Sequence, residues 1–290
     1  MREATVARRQ VTDARETDER AILMKLKHID NEQEFDWGKV APDYAQYRAG
    51  YPELFYEVLA ALGIGKPRQK ILDLGTGTGV LARAFAKRGA RVTAADISAH
   101  QIAEAQALAA QEGLDISFSV CAAEDIAFPD GSFEVISAGQ SWLYFDAAVM
   151  IPKVLRLLMA EGCLVLTHLA WLPDKDSIAK QTEELVLHYN PGWTGAGYKG
   201  NIPPVFPWAQ EHFELRTFHV MTAPVPFTRA AWSGRIRACR GIGASLSAEE
   251  VERFDAEHSR LLATIAPDEF TVLHQMAIHV YVRKGTIGTV

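Results

Sequence analysis

The sequence predicts an α/β fold with a doubly wound, mostly parallel sheet, and three observations carry that expectation. Short apolar segments that suit buried parallel strands alternate with helical stretches along the first two thirds of the chain. The first such segment, ILDLGTGTG at 71–79, runs directly into a glycine-rich turn and then a helix, which is half of a nucleotide-binding unit. With 290 residues, 48% of them hydrophobic and 23% charged, the chain has ample length for one core carrying a small cap.

Each element follows from its residues. An N-terminal stretch, 1–34, mixes Arg, Glu, Asp and Thr with few apolar anchors and reads as a flexible arm preceding a single domain over 35–290. Apolar residues at Leu54, Phe55, Val58, Leu59 and Leu62 give a helical stripe over 53–62, with Pro52 at its start. The first strand, 71–74, ends beside Asp73. Gly75, Thr76, Gly77 and Gly79 then form the turn that lets a bound molecule touch backbone, and 80–86 is a helix stopped by Gly89. A second strand, 91–95, ends at Asp96. A helix over 98–113 leads to a third strand at 116–120 and the loop CAAEDIAFPDG. A fourth strand, 132–137, opens into AGQSWLYFD, where Asp146 caps a helix over 147–159. Glu161-Gly162 turns the chain into a fifth strand at 163–171. Strands at 213–220 and 276–284 complete a set of seven. Between them lie helices at 227–240 and from Ser247, where Ser247 and Glu250 make a capping box. The Gly-, Pro- and aromatic-rich 173–210 is too long for a linker and is expected to be a substrate cap, with 227–266 as additional helices.

The turn discriminates between ligands. A dinucleotide fingerprint counted from Gly75 wants a small residue where Val80 stands, and Asp73 under the turn repels pyrophosphate while attracting an ammonium or sulfonium group. Asp96, about 20 residues beyond the first glycine, falls where an acid accepts hydrogen bonds from ribose hydroxyls, and Ile97 is placed to pack on a purine. DLGTGTG, Asp96 and the block CAAEDIAFPDGSFEVISAGQSW together resemble the class I S-adenosylmethionine-dependent methyltransferases. That resemblance implies a Rossmann-like seven-stranded sheet with an antiparallel last strand, and S-adenosyl-L-methionine as cofactor. It implies adenine contacts from the Ala123 amide and an acidic residue, for which Glu124 is the nearest acceptor because Ala122 replaces the usual Asp. It also implies that Tyr44, Arg48 and Gln140 surround the methionine end, whereas Tyr47 and Tyr51 equally suit plain packing.

Candidates for the acceptor side are Trp142, Tyr144, Trp171, Trp193, Tyr198 and Arg229, each as suited to core as to a pocket. His168, at the end of the fifth strand, is either a base or substrate contact or a hydrogen-bonded structural residue; His188 and His212 are weaker candidates. Helical spacing puts Arg229, Arg237 and Arg240 on one side and Arg235 away from them, which reads as a solvated face or as a hold on a carboxylate-bearing substrate. A net charge of −6 and pI near 5.9 argue against nucleic-acid or anionic-membrane partners and favour a small molecule. Cys121, Cys163 and Cys239 show no C-x-x-C spacing, so no metal site or disulfide framework is expected and a reducing cytoplasm fits. The expected activity is methyl transfer to an O, N, S or C atom of a small molecule. RNA or protein methylation, or non-catalytic nucleoside binding, are the competing readings.

Overall fold

A computed structural model describes residues 23–48 and 50–286. Seven strands form one sheet in the order β3-β2-β1-β4-β5-β7-β6. They are β1 Lys70–Leu74, β2 Arg91–Asp96, β3 Ile116–Val120, β4 Phe133–Gly139, β5 Leu158–Trp171, β6 Phe213–Thr228 and β7 Glu269–Arg283. Strands β1 to β5 pair in parallel, and only β7, hydrogen-bonded to both β5 and β6, runs antiparallel. The sheet winds outward in both directions from the junction of β1 and β4. At such a switch point the loops at the strand carboxyl ends part and leave a crevice.

Eight α-helices accompany the sheet among the described residues: α1 Ala41–Tyr47, α2 Glu53–Ala61, α3 Val80–Lys87, α4 Ala99–Gln111, α5 Ala147–Leu157, α6 Ser177–Tyr189, α7 Arg229–Arg237 and α8 Ala248–Ile265. One face of the sheet packs Phe55, Leu59, Leu81 and Phe85 from α2 and α3 against Ile71, Val92 and Val165. The other packs Met150, Val154 and Leu157 of α5 against Leu72, Leu74, Ile136 and Leu164. A third core, around Trp232, Phe254, Val186 and Trp171, belongs to α6, α7 and α8. The expected caps are formed: Asp146 accepts from the Ala148 amide at the start of α5, and Ser247 and Glu250 close a reciprocal box on α8.

Four expectations need correction. Residues 1–22 of the expected arm lie outside the described residues, but its end is packed: Met24 bridges Phe35, and Ile29 is 2% exposed within a small cluster with Phe35, Val40 and Ala244. Leu54, placed on the buried stripe of α2, is 55% exposed, because Phe55, Tyr56 and Leu59 supply the packed face. Strand β5 already begins at Leu158, with a register shift between Phe133 and Val135 of β4 absorbing the expected turn at Glu161-Gly162. Residues 227–240 are not one helix: Phe227 and Thr228 end β6, and α7 stops at Arg237.

Strands β6 and β7 pair from Phe213↔Arg283 to Thr228↔Glu269, whereas β5 follows β7 only as far as Trp171↔His274. The two-stranded ribbon therefore runs past the end of β5 and carries the third core on its tip. Pro224 and Pro226 are tolerated because β6 is an edge strand.

Candidate functional site

The carboxyl ends of β1, β2, β4 and β5 open into a cavity of about 490 Å³ beneath the third core. Its near end is built by the glycine turn. Gly75 has φ +62° and Gly77 φ +56°, and a side chain on Gly75 would stand 2.4 Å from Ser141 Cβ. The backbone is thus held in a left-handed conformation with Ser141 packed on it, and Ser141 Oγ donates to the Leu74 carbonyl at 2.6 Å. Asp96 fixes the turn from the neighbouring strand: its Oδ2 accepts from the Gly77 amide at 2.8 Å and its Oδ1 from the Ser98 amide at 2.9 Å. Each oxygen keeps a lone pair for a hydroxyl group. Burial pushes the Asp96 carboxyl above its usual range, and the amides of Ser98, Gly77 and Ile97 oppose that shift. Ile97, Cys121, Ala122 and Ala123 wall the cavity beyond Asp96.

Glu124 is absent from that wall. Its carboxylate accepts from the Asp146 amide at 2.9 Å and its own carbonyl holds Lys153 Nζ at 2.5 Å, so the residue secures the start of α5 instead. Gly79 also stands apart, as the left-handed N-cap of α3, with Ala105 3.4 Å from where its Cβ would lie.

Asp73 sits one layer lower, on a second cavity of about 40 Å³ that shares Tyr44, Arg48, Gly75, Gly77, Gly139 and Leu169 with the large one. Its oxygens accept from Ser137 Oγ and Thr76 Oγ1, both at 2.6 Å, so Thr76 acts by orienting the acid. Burial raises the Asp73 carboxyl to about 6, against the lowering effect of those hydroxyls. Above this floor, the Arg48 guanidinium lies over the Tyr44 ring with 5.2 Å to its centroid and donates to Gln140 Oε1. Gln140 adopts φ +59° and donates through Nε2 to the Leu169 carbonyl at 2.7 Å. A non-glycine residue in that conformation is held there by its surroundings. Tyr51 belongs to the packing: it stacks on Phe55 and shares a 2.7 Å hydrogen bond with Thr167.

The far end of the cavity gathers His168, Trp171, Trp193, Tyr198, Glu183 and Arg235. Trp171 donates to Glu183 Oε1 at 2.5 Å, Gly197 N donates to Glu183 Oε2 at 2.8 Å, and Tyr198 donates to Gln275 at 2.5 Å. His168 tilts against Tyr198 with ring centroids 5.1 Å apart, and its Nε2 is buried with no hydrogen-bond partner. Burial, reinforced by Arg48 and His279, lowers it to about 4, so the ring is neutral at neutral pH and weakly basic. His188 and His212 do not line the cavity; His212 is exposed beside Glu211.

Two expected pocket residues are elsewhere. Trp142 stacks on Trp208 at 4.7 Å, turned outward by the 3-10 turn Trp142–Tyr144. Arg229 is occupied at the base of the cap, donating to the Ala266 carbonyl and pairing with Asp268 at 3.0 Å. Helical spacing does separate Arg235 from Arg229 and Arg237, but the side facing the cavity is that of Arg235. Arg237 is held by Asp43 and Asp255.

A strap of residues 24–37 roofs the cavity with Met24, His28, Ile29 and Trp37. Its latch is Asp30, 1% exposed, which accepts from Arg240 Nε at 2.5 Å and from Thr194 N and Oγ1 at 2.7 and 2.8 Å. Arg240 also donates to Tyr144 Oη at 2.9 Å, which places Tyr144 under the strap. Gln101, on α4, donates to the Trp37 carbonyl at 2.9 Å. Neither Gln101 nor Glu183 carries a signal in the sequence, since both look like ordinary polar positions on amphipathic helices.

Comparison with known proteins agrees with this geometry. Residues 71–162 match a family model described as a methyltransferase domain. Demethylmenaquinone methyltransferase of Thermus thermophilus is 35% identical over 107 residues, 36% of this chain and 49% of that protein. Ubiquinone biosynthesis O-methyltransferase of Xanthomonas campestris is 28% identical over 146 residues, 50% of this chain and 61% of that one. The chain thus spans about half the length of the curated relatives it matches. A Bacillus halodurans structure assigned to the methyltransferases superposes with a TM-score of 0.51 at 18% identity, covering 79% of this chain and 98% of that one, a likeness of fold.

Proposed function

We propose, from the match of residues 71–162 to a methyltransferase domain, that the protein is a class I S-adenosylmethionine-dependent methyltransferase that methylates an O, N, S or C atom of a small molecule. The observation that carries the proposal is the convergence on one cavity of the left-handed Gly75-Gly77 backbone, the Asp96 carboxylate and the Arg48-Gln140 pair, with a separate aromatic chamber beyond them. The residues fit the cofactor. Asp96 has lone pairs for ribose hydroxyls, Ile97, Ala122 and Ala123 offer an apolar wall for a purine, and Arg48 is a cation for an amino-acid carboxylate. Asp73 supplies the opposite charge below, for an ammonium group.

The cofactor, when bound, supplies a methyl group already activated for in-line displacement. The protein's share is then positioning. Trp171, Trp193 and Tyr198 exclude water and hold a flat acceptor, and the 24–37 strap covers one side of the cavity. His168, neutral and unpartnered at Nε2, orients an acceptor group by hydrogen bonding and is too weak a base to store a proton at neutral pH. We take 173–210 and 227–266 together as the cap, and a small molecule as the acceptor because the chamber is roofed rather than a groove. Isothermal titration with S-adenosylmethionine and its demethylated product is expected to show binding to the wild type. Asp96→Ala removes a charge-assisted contact and releases the turn, so it is expected to weaken that binding about 100-fold. Failure of the wild type to bind either compound removes the proposal.

A further inference from the structure

Arg235 is a buried cation that pairs with no anion among the described residues. The residue is 6% exposed, it lines the far end of the cavity, and its guanidinium lies over the Trp171 ring with 5.1 Å to the centroid. The one hydrogen bond it donates among the described residues goes to Cys239 Sγ at 3.1 Å. No carboxylate among the described residues pairs with it. Glu183, in the same chamber, has one oxygen on Trp171 Nε1 and the other on the Gly197 amide. Asp30 is taken by Arg240, and Asp43 and Asp255 by Arg237. A guanidinium cannot escape by losing its proton, and an unmatched buried charge is costly, so a fold that keeps one against a cavity wall is shaped for an incoming anion.

The charges around the cavity set the valence of that anion. Arg240 is neutralised by Asp30, and Arg48, at the glycine-turn end, is matched in the proposed function to the cofactor's own carboxylate. At the acceptor end Arg235 is then the cation without an ion pair among the described residues, beside a Glu183 carboxylate whose two oxygens are already held by neutral donors. A dianionic phosphate needs more compensation than a single guanidinium gives, whereas a carboxylate accepts two parallel N–H donors from one planar fork. The walls add the rest of the description: Trp171, Trp193 and Tyr198 line the chamber with aromatic rings, and Arg235 already stacks on one of them.

We propose that Arg235 anchors the methyl acceptor, and that the acceptor is a monoanion bearing a carboxylate on a flat, ring-like body. This rests on reading the cavity as a methyltransferase site. The test uses benzoate and benzamide, which share a shape and differ in charge, with inorganic phosphate as a third probe. Each is titrated calorimetrically into the wild type saturated with S-adenosylhomocysteine. Benzoate is expected to bind at least about 10-fold more tightly than benzamide, and phosphate more weakly than benzoate. Arg235→Gln is expected to weaken benzoate about 100-fold while benzamide changes little, and Arg235→Lys to lie between, having charge without the fork. Variants are compared only where S-adenosylhomocysteine still binds, which certifies a folded cavity. If Arg235→Gln does not fold, the wild-type comparison of the three probes decides. Equal binding of benzoate and benzamide, no benzoate binding, preference for phosphate, or an undiminished benzoate affinity in Arg235→Gln would each overturn the assignment. Failure of S-adenosylhomocysteine to bind the wild type instead strikes the methyltransferase reading, and the benzoate-benzamide comparison without it still decides the role of Arg235.

Discussion

Replacing Gly234 by alanine separates two opposing effects in one position. Gly234 lies inside α7, where Gly→Ala ordinarily stabilises a helix by about 1 kcal/mol. Here a Cβ would stand 2.1 Å from Tyr47 Cδ2, 2.4 Å from Cγ and 2.5 Å from Cε2, against the 3.5 to 4.0 Å of ordinary carbon contact. The ring must retreat by more than an ångström, and the backbone of α1 with it, since Tyr47 is the last residue of that helix. A contact this close falls in the upper part of the overpacking range, about 2 to 3 kcal/mol, so the expected net is a loss of about 1 to 2 kcal/mol, read as a fall of several degrees in thermal midpoint. Because α1 also carries Tyr44 and leads to Arg48, affinity for S-adenosylhomocysteine is expected to fall as well. Adding Tyr47→Ala removes the obstacle, so the double variant is expected to be more stable than the sum of the two single effects by about 1 to 3 kcal/mol. A Gly234→Ala protein as stable as the wild type, or a cycle with no coupling, would refute the account of how α1 and α7 meet.

Removing one side of the strap latch leaves a buried charge alone. Asp30→Asn and Arg240→Met are each expected to cost about 3 to 5 kcal/mol in urea denaturation, and the pair less than the sum, since the double variant strands neither charge. Titration should act with opposite sign at two buried groups. Burial holds His258 at about 4 in the folded protein against 6.5 as its ordinary value, so the unfolded chain takes up its proton first and stability falls as pH drops from about 6.5 to 4. His258→Gln is expected to flatten that acid limb of the thermal-midpoint profile. Asp73, raised to about 6 from 3.8, holds its proton longer in the folded state, so its contribution is lost as pH rises from about 4 to 6. Asp73→Asn is expected to gain stability relative to wild type across that window, by up to about 3 kcal/mol.

The half of the site proposed to bind the nucleoside was legible because it is written locally. A strand, a turn whose glycines must take positive φ, and an acid at the next strand's end all lie within 71–97, and the sheet register only confirms their adjacency. Glu124 misled because two acceptors stand near one helix start: Asp146 caps α5 through Ala148, and its own amide needs a partner, which Glu124 provides. The acceptor half was less legible because it is assembled by contacts of long sequence separation. Arg235 meets Trp171 only because the β6-β7 ribbon delivers α7 over the end of β5, and no spacing rule within 227–240 shows which side of the helix that delivery turns inward. Trp171, Trp193 and Tyr198 line one cavity, yet Trp142 and Trp208 chose each other, a pairing with no trace in either local sequence.

The placement of β7 between β5 and β6 has a consequence for the order in which the molecule is made. Strands β3, β2, β1, β4 and β5 can pair as soon as residue 171 has left the ribosome, but the outer edge of β5 then waits for residues 269–283. Strand β6 emerges in between and finds no partner in the sheet, because its neighbour is β7 alone. A nascent chain therefore presents an apolar edge of Leu164, Val165 and Leu166 through the synthesis of roughly the last two fifths of the sequence, the interval in which edge-to-edge association is most dangerous. Closure of that edge and completion of the chamber around Arg235 are one event, so the acceptor pocket and the protection of the sheet arrive together.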